Sequence, residues 1–172
     1  EVLDYVAATY GGDIPVFADP VSTTYARKLT GNLHGYHTLK PNRLETEIIA
    51  GRSIRSPEEL RGACRALIGG GLSRVVVSLG RAGCFYLDAE GRALRAQGRP
   101  MDQVVNATGA GDAFMGGLVY ASLTGLPPEK TLLFATAASR MAISHQNTIN
   151  PNISAENVWA VVERDGLTVE EV

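Results

Sequence analysis

Val75-Val76-Val77-Ser78-Leu79 is the stretch on which the fold turns. A run of β-branched and apolar residues without polar alternation is the pattern of a strand covered on both faces, as in parallel sheets. Helix and strand signals alternate on either side of it. Upstream, Ser56-Pro57-Glu58-Glu59 reads as a helix start, with Ser56 as cap, Pro57 at the first helical position and Glu59 completing a capping box. That helix turns Leu60, Cys64, Leu67 and Ile68 to one face before Gly69-Gly70-Gly71 ends it. Earlier still, Glu1–Tyr10 reads as a helix with Val2, Leu3, Val6, Ala7 and Tyr10 on one face. Ile14–Ala18 is a short strand, Thr23–Leu29 is helical, Tyr36–Leu39 is a second strand, and Arg43–Ala50 is a helix stopped by Gly51.

Downstream, Cys84–Leu87 and Ala93–Ala96 form a hairpin turning at Asp88–Gly91, expected at a sheet edge. Val104–Ala107 reads as a further strand. A long apolar helix then runs from about Asp112 to Leu123, a second covers Glu129–Ser144, and a third runs from a Ser154 cap through Arg164. The order predicts an α/β fold with helices on both faces of a mainly parallel sheet. Ile14–Ala18, Tyr36–Leu39 and Val75–Leu79 are expected side by side.

At 172 residues the chain suits one domain with a buried core. Sixteen basic against eighteen acidic side chains leave a net charge of −2, which argues against a nucleic-acid partner. No apolar run reaches membrane-span length and no signal-peptide pattern opens the chain, so the expected setting is cytoplasmic, away from membranes. Cys64 and Cys84 are too few for a disulfide framework and read as buried thiols. His34, His37 and His145 lack metal-ligand spacing. Val158, Trp159, Val161 and Val162 make an apolar helix face suited to core packing.

The chemistry concentrates in Val104-Val105-Asn106-Ala107-Thr108-Gly109-Ala110-Gly111-Asp112-Ala113-Phe114. A turn of small residues lets backbone approach a ligand, and the free N–H groups of a helix start attract anions. Asp112 in the first turn is either a helix cap or a chemical group. No glycine cluster is followed by the Lys of a P-loop, and Phe114 stands where a dinucleotide fingerprint needs its third glycine.

Asn106-Ala-Thr-Gly-Ala-Gly-Asp112 resembles the C-terminal signature of the ribokinase-like (PfkB) sugar and nucleoside kinases. Lys40-Pro41-Asn42-x-x-Glu45 is similar to that family's N-x-x-E motif, and Ser78-Leu79-Gly80-x-x-Gly83 to its T-x-G-x-x-G loop. The three motifs occur in family order over roughly residues 14–150. The resemblance implies a three-layer α/β sandwich. It also implies that residues 1–172 are the C-terminal, nucleotide-binding and catalytic half of one kinase domain. The glycine pair that touches the acceptor and the β-lid would lie in a missing N-terminal part. Glu1 in place of Met, at the head of a helix, agrees with a fragment.

In family terms Asp112 is the base that takes the acceptor hydroxyl's proton. Backbone N–H groups of Gly109, Ala110 and Gly111 form the anion hole. Asn42, Ser78, Gly80, Gly83 and Thr108 bound the ATP site between the Ser78–Gly83 loop and the Gly109–Gly111 turn. Glu45 holds Mg²⁺ through water. Asn106 stands where many relatives carry an Asp that helps hold a monovalent cation such as K⁺. Asn keeps an oxygen but loses the charge. The rest of that cation site and the adenine pocket are expected from Ala138–Asn150. The phrases His37–Asn42 and Thr148–Ser154 resemble the branch of the family that phosphorylates pseudouridine. The implied partners are a small-molecule nucleoside or sugar and, through the lid, a second copy of the protein. A silent nucleotide-binding module is the reading from another class.

Overall fold

Six strands form one sheet, in the order in which they occur along the chain. The computed structural model describes residues 2–30, 33–101 and 104–172. The strands are β1 (Phe17–Ala18), β2 (Thr38–Leu39), β3 (Arg74–Ser78), β4 (Cys84–Asp88), β5 (Ala93–Gln97) and β6 (Thr168–Glu171). The helices are α1 (Val2–Tyr10), α2 (Thr23–Ala26), α3 (Arg43–Ala50), α4 (Pro57–Gly69), α5 (Ala110–Leu123), α6 (Pro128–Ile143) and α7 (Ala155–Arg164). β1, β2 and β3 pair parallel, and β6 pairs antiparallel with β5. With helices on both sides of the sheet, this is the α/β architecture the sequence predicts. The chain divides into two compact units, Glu1–Leu79 with Phe85–Ala93, and Gly80–Cys84 with Leu94–Val172.

In the first unit, Val75, Val76 and Val77 of β3 are almost wholly buried, as a strand covered on both faces requires. Each such side chain contributes roughly 1.5–3 kcal/mol of transfer free energy. Leu39, Ile49, Leu60, Cys64, Leu67 and Phe85 join Val75 and Val77 in one core. α4 starts at Ser56, whose hydroxyl accepts the Glu59 N–H. The expected capping box is not closed there, because Glu59 Oε2 takes the N–H of Arg55, one residue ahead of the cap. β1 and β2 are shorter than expected. Ile14 is exposed and Tyr36 lies in a turn, so only two residues of each strand enter the ladder. The apolar face expected of α1 is largely exposed: Ala7 alone is buried, while Val2, Leu3 and Tyr10 are open. The hairpin turn is closed by Asp88, whose Oδ1 accepts the Arg92 N–H and whose Oδ2 accepts the Tyr86 hydroxyl.

In the second unit α5 and α6 pack closely. A Cβ on Gly117 would stand 2.6 Å from the Ala135 Cα, so only glycine permits this approach. The Tyr120 ring stacks on Phe134 at 4.6 Å, and Phe134 meets Trp159 edge-on. Val158 and Val161 of α7 complete that core, as their helical spacing predicts. Three departures from the expected elements fall here. Residues 104–107 form no strand, because the N–H groups of Val105 and Asn106 both turn to the Ile143 carbonyl at the end of α6. The β4–β5 hairpin is not the edge either, since β6 lies beyond β5, with Arg95 opposite Glu170. α5 begins at Ala110, two residues before the expected start.

Candidate active site

The carboxyl ends of the parallel strands assemble the first group of residues, where open α/β sheets place ligands. Ser78, ending β3, forms a parallel bridge with Asn42 and donates its N–H to the Pro41 carbonyl at 2.9 Å. Asn42 caps α3. Its Oδ1 accepts the Glu45 N–H at 2.9 Å, and Glu45 Oε2 accepts the Asn42 N–H at 2.8 Å. The reciprocal box absent at Ser56 is complete here. Glu45 is only 4% exposed, which makes that hydrogen bond hard to replace by water. Thr46 Oγ1 adds a bond to the Asn42 carbonyl at 2.7 Å. Glu45 Oε1 has no hydrogen-bond partner among the described residues, and one open carboxylate oxygen suits a water-bridged divalent cation.

Two residues here have no role in the motif reading, although Lys40 heads the quoted Lys40–Glu45 stretch. Lys40 Nζ and Asp19 Oδ2 are 2.9 Å apart at the ends of β2 and β1. Asp19 Oδ1 also accepts the N–H of Val21, whose φ of 61° lies in the left-handed region, where β-branched residues are strained. Their one sequence signal is shared: each charge immediately precedes a proline at a strand end.

The second unit holds the remaining residues. Gly80 opens a single 3₁₀ turn, and a Cβ there would meet nothing within 4 Å. Gly83 closes the turn with its N–H on the Gly80 carbonyl. A Cβ on Gly83 would collide with the Ala96 carbonyl, so β5 dictates this glycine whatever else it does.

Gly109 is the N-cap of α5 in the left-handed conformation, φ 85°, and makes no side-chain cap bond. A Cβ on it would lie 2.5 Å from the Thr148 carbonyl oxygen. The first intrahelical bond runs from the Ala113 N–H to the Gly109 carbonyl at 2.9 Å. The N–H groups of Ala110, Gly111 and Asp112 therefore stand at the open end of a 14-residue helix, where the dipole favours an anion. Asp112 occupies the third helical position, not the cap. It is exposed, and its carboxylate has no hydrogen-bond or ion-pair partner among the described residues. Just upstream, Asn106 Oδ1 accepts the Thr108 N–H at 2.9 Å and Asn106 Nδ2 donates to the Gln146 carbonyl at 3.0 Å.

The structure thus brings Asn42, Glu45 and Ser78 together in one unit. In the other it groups Asn106, Thr108 and Gly109–Asp112 with residues 143–148. The 143–148 segment is itself braced: Asn150 donates to the Met141 carbonyl at 2.8 Å, and His145 Nδ1 accepts the Asn147 N–H. His34, His37 and both cysteines stay out of these groups, and His145 enters only as a brace of the 143–148 segment. Burial pushes the Cys64 and Cys84 thiols up to about 12 and 11. Among the described residues no three His, Cys, Asp or Glu side chains converge as metal ligands, and no helix is long and apolar enough to cross a membrane.

Residues 6–155 match the family described as pfkB family carbohydrate kinase. The pseudouridine kinase of Escherichia coli (strain K12) is 39% identical over 152 residues, which are 88% of this chain and 48% of that protein. The 1-phosphofructokinase of Haemophilus influenzae is 38% identical over 109 residues, 63% of this chain and 34% of that one. A crystal structure of a candidate sugar kinase from Clostridium perfringens matches 99% of this chain and 54% of its own, with a TM-score of 0.93 and 32% identity. The chain spans less than half the length of these two curated relatives.

Proposed function

The chain belongs to the pfkB family of carbohydrate kinases, and from that premise we propose that it carries the nucleotide-binding and catalytic half of an enzyme moving a phosphoryl group from ATP to a hydroxymethyl group. The observation that carries this reading is the start of α5, where an exposed, unpartnered Asp112 follows three small residues with open N–H groups. Phosphoryl transfer asks for in-line positioning and neutralisation of charge on the moving group. The N–H groups of Gly109, Ala110 and Gly111 act as donors to the transferring oxygens, fixed in place before reaction. Asp112 accepts the proton of the attacking hydroxyl as the new O–P bond forms and ADP departs. Asn42 and Ser78 of the first unit and Gly80, Gly83 and Thr108 of the second are the residues we assign to ATP. Glu45 would hold a magnesium ion through water, and the ion would supply charge neutralisation when bound.

Pseudouridine is the acceptor we assign, giving pseudouridine 5′-phosphate. The 39% identity to a pseudouridine kinase across 88% of the chain supports that choice. A sugar acceptor is the second reading, favoured by the likeness to a 1-phosphofructokinase and to a candidate sugar kinase. Pairing of two copies through a β-lid outside residues 1–172 belongs to the same reading.

The test is ADP formation by the gene product that carries this chain, offered ATP with pseudouridine, ribose or fructose 1-phosphate. Fastest turnover on pseudouridine is expected. Faster turnover on a sugar selects the second reading, and no ADP formation with any acceptor removes both. Asp112→Asn should lower kcat by at least ~10² and leave ATP affinity within a few-fold. Near-normal kcat would reduce Asp112 to a first-turn acid of α5.

A further inference from the structure

We propose that the side-chain amide of Asn106 does in this chain what a bound monovalent cation would otherwise do, so that the turn ahead of Gly109 is assembled without one. The proposal rests on the kinase reading of α5, since it concerns what holds the proposed anion hole in place. Asn106 bridges two stretches of backbone forty residues apart: its oxygen accepts the Thr108 N–H at 2.9 Å, and its NH₂ donates to the Gln146 carbonyl at 3.0 Å. The orientation of the amide follows from these two contacts. Turned over, it would set oxygen against the Gln146 carbonyl and NH₂ against the Thr108 N–H, two repulsions in place of two bonds.

The bridge secures the start of α5 to the segment behind it. Val105 and Asn106 give their own N–H groups to the Ile143 carbonyl, and Gly109 lies against the carbonyl of Thr148. Residues 143–148 are therefore the seat of the 105–109 turn, and among the described residues Asn106 is the side chain whose hydrogen bonds fasten the two.

A carboxylate at position 106 could still accept the Thr108 N–H. Its other oxygen would face the Gln146 carbonyl oxygen across about 3 Å, with no hydrogen between two electron-rich atoms. Such a pair needs a proton or a cation to hold it. The amide carries its hydrogen covalently, so the need disappears. Net charge is conserved as well, because a neutral amide carries the same net charge as a carboxylate with one monovalent cation. A monovalent cation does not fit between Asn106 and the Gln146 carbonyl: Nδ2, which faces that carbonyl, cannot coordinate one, and its hydrogen fills the 3.0 Å gap. Asn106 is a positioning residue in this account.

The test follows thermal unfolding of the chain in potassium, sodium or tetramethylammonium chloride at about 100 mM. Wild type should unfold at the same temperature in all three, and thallium-205 resonance should show no saturable binding. Asn106→Asp should be less stable in tetramethylammonium and regain at least about 3 °C in potassium. That potassium gain should vanish as pH falls far enough to protonate the new carboxyl, since the acid then supplies the missing hydrogen. A potassium-specific rise in wild type, or saturable thallium binding to it, overturns the proposal. So does a folded Asn106→Asp protein indifferent to potassium. If that variant folds in none of the salts, the thallium titration of wild type still decides. None of these readouts needs turnover, so failure of the kinase reading appears in the ADP assay and leaves them intact.

Discussion

Lys40 and Asp19 form a short ion pair, Nζ to Oδ2 2.9 Å, that joins the ends of two neighbouring parallel strands. The side chains are 6% and 20% exposed, and the prolines that follow, Pro20 and Pro41, are fully buried. β1 and β2 share only two residue pairs, so this contact carries much of their alignment.

Breaking a largely buried pair leaves one charge uncompensated, which costs more than the pair is worth. Asp19→Asn and Lys40→Met should each lower unfolding free energy by roughly 3 kcal/mol. The double variant should recover to within about 1.5 kcal/mol of wild type. Denaturant unfolding of all four proteins checks this, and strictly additive losses would show that the two charges are not coupled.

His37 should make stability depend on pH above the carboxylate range. Burial, with the Arg74 charge second, holds its imidazole below the ordinary value. The unfolded chain then binds a proton that the folded chain refuses. Stability is fully present above about pH 6.5 and falls as pH drops through that value toward the folded pKa. A His37→Gln protein should show a flatter dependence of melting temperature between about pH 5 and 7. An unchanged slope would assign the effect elsewhere.

Gly80 and Gly83 both have positive φ but opposite surroundings. Gly80→Ala should cost about 1 kcal/mol, since only backbone strain is added. Gly83→Ala adds a collision with the Ala96 carbonyl and should cost about 3 kcal/mol or more. Equal losses, measured by thermal unfolding, would contradict the close approach of β5.

Val21 is the one non-glycine residue with positive φ among those described, and the residue is 75% exposed. Asn tolerates that conformation far better and gives up little burial. Val21→Asn should therefore stabilise the protein by about 1 kcal/mol. A loss of stability would mean that the valine makes a contact worth more than its strain.

What the sequence made legible was local. α3, α4 and α7 carry their caps at Asn42, Ser56 and Ser154, and three successive valines announce β3. β6 escaped because Thr168-Val-Glu-Glu has one half-buried residue and is held as a strand by its neighbour β5. Val104 and Val105 look like a strand, yet among the described residues their neighbourhood offers a helix-terminal carbonyl and no ladder. At the candidate site, glycines and acids stand out through spacing. The pairing of Lys40 with Asp19 and of Asn106 with Gln146 joins residues distant in sequence, and no periodicity marks such partners.

Because Glu45 closes the capping box of α3 while being the residue assigned to magnesium, its substitutions are not equivalent as instruments. Alanine there would unfasten the helix start and remove the ligand together, so a lost activity would have two indistinguishable origins. Glutamine retains an oxygen for the Asn42 N–H and removes only the charge, which makes position 45 a place where architecture and chemistry can be taken apart one atom at a time.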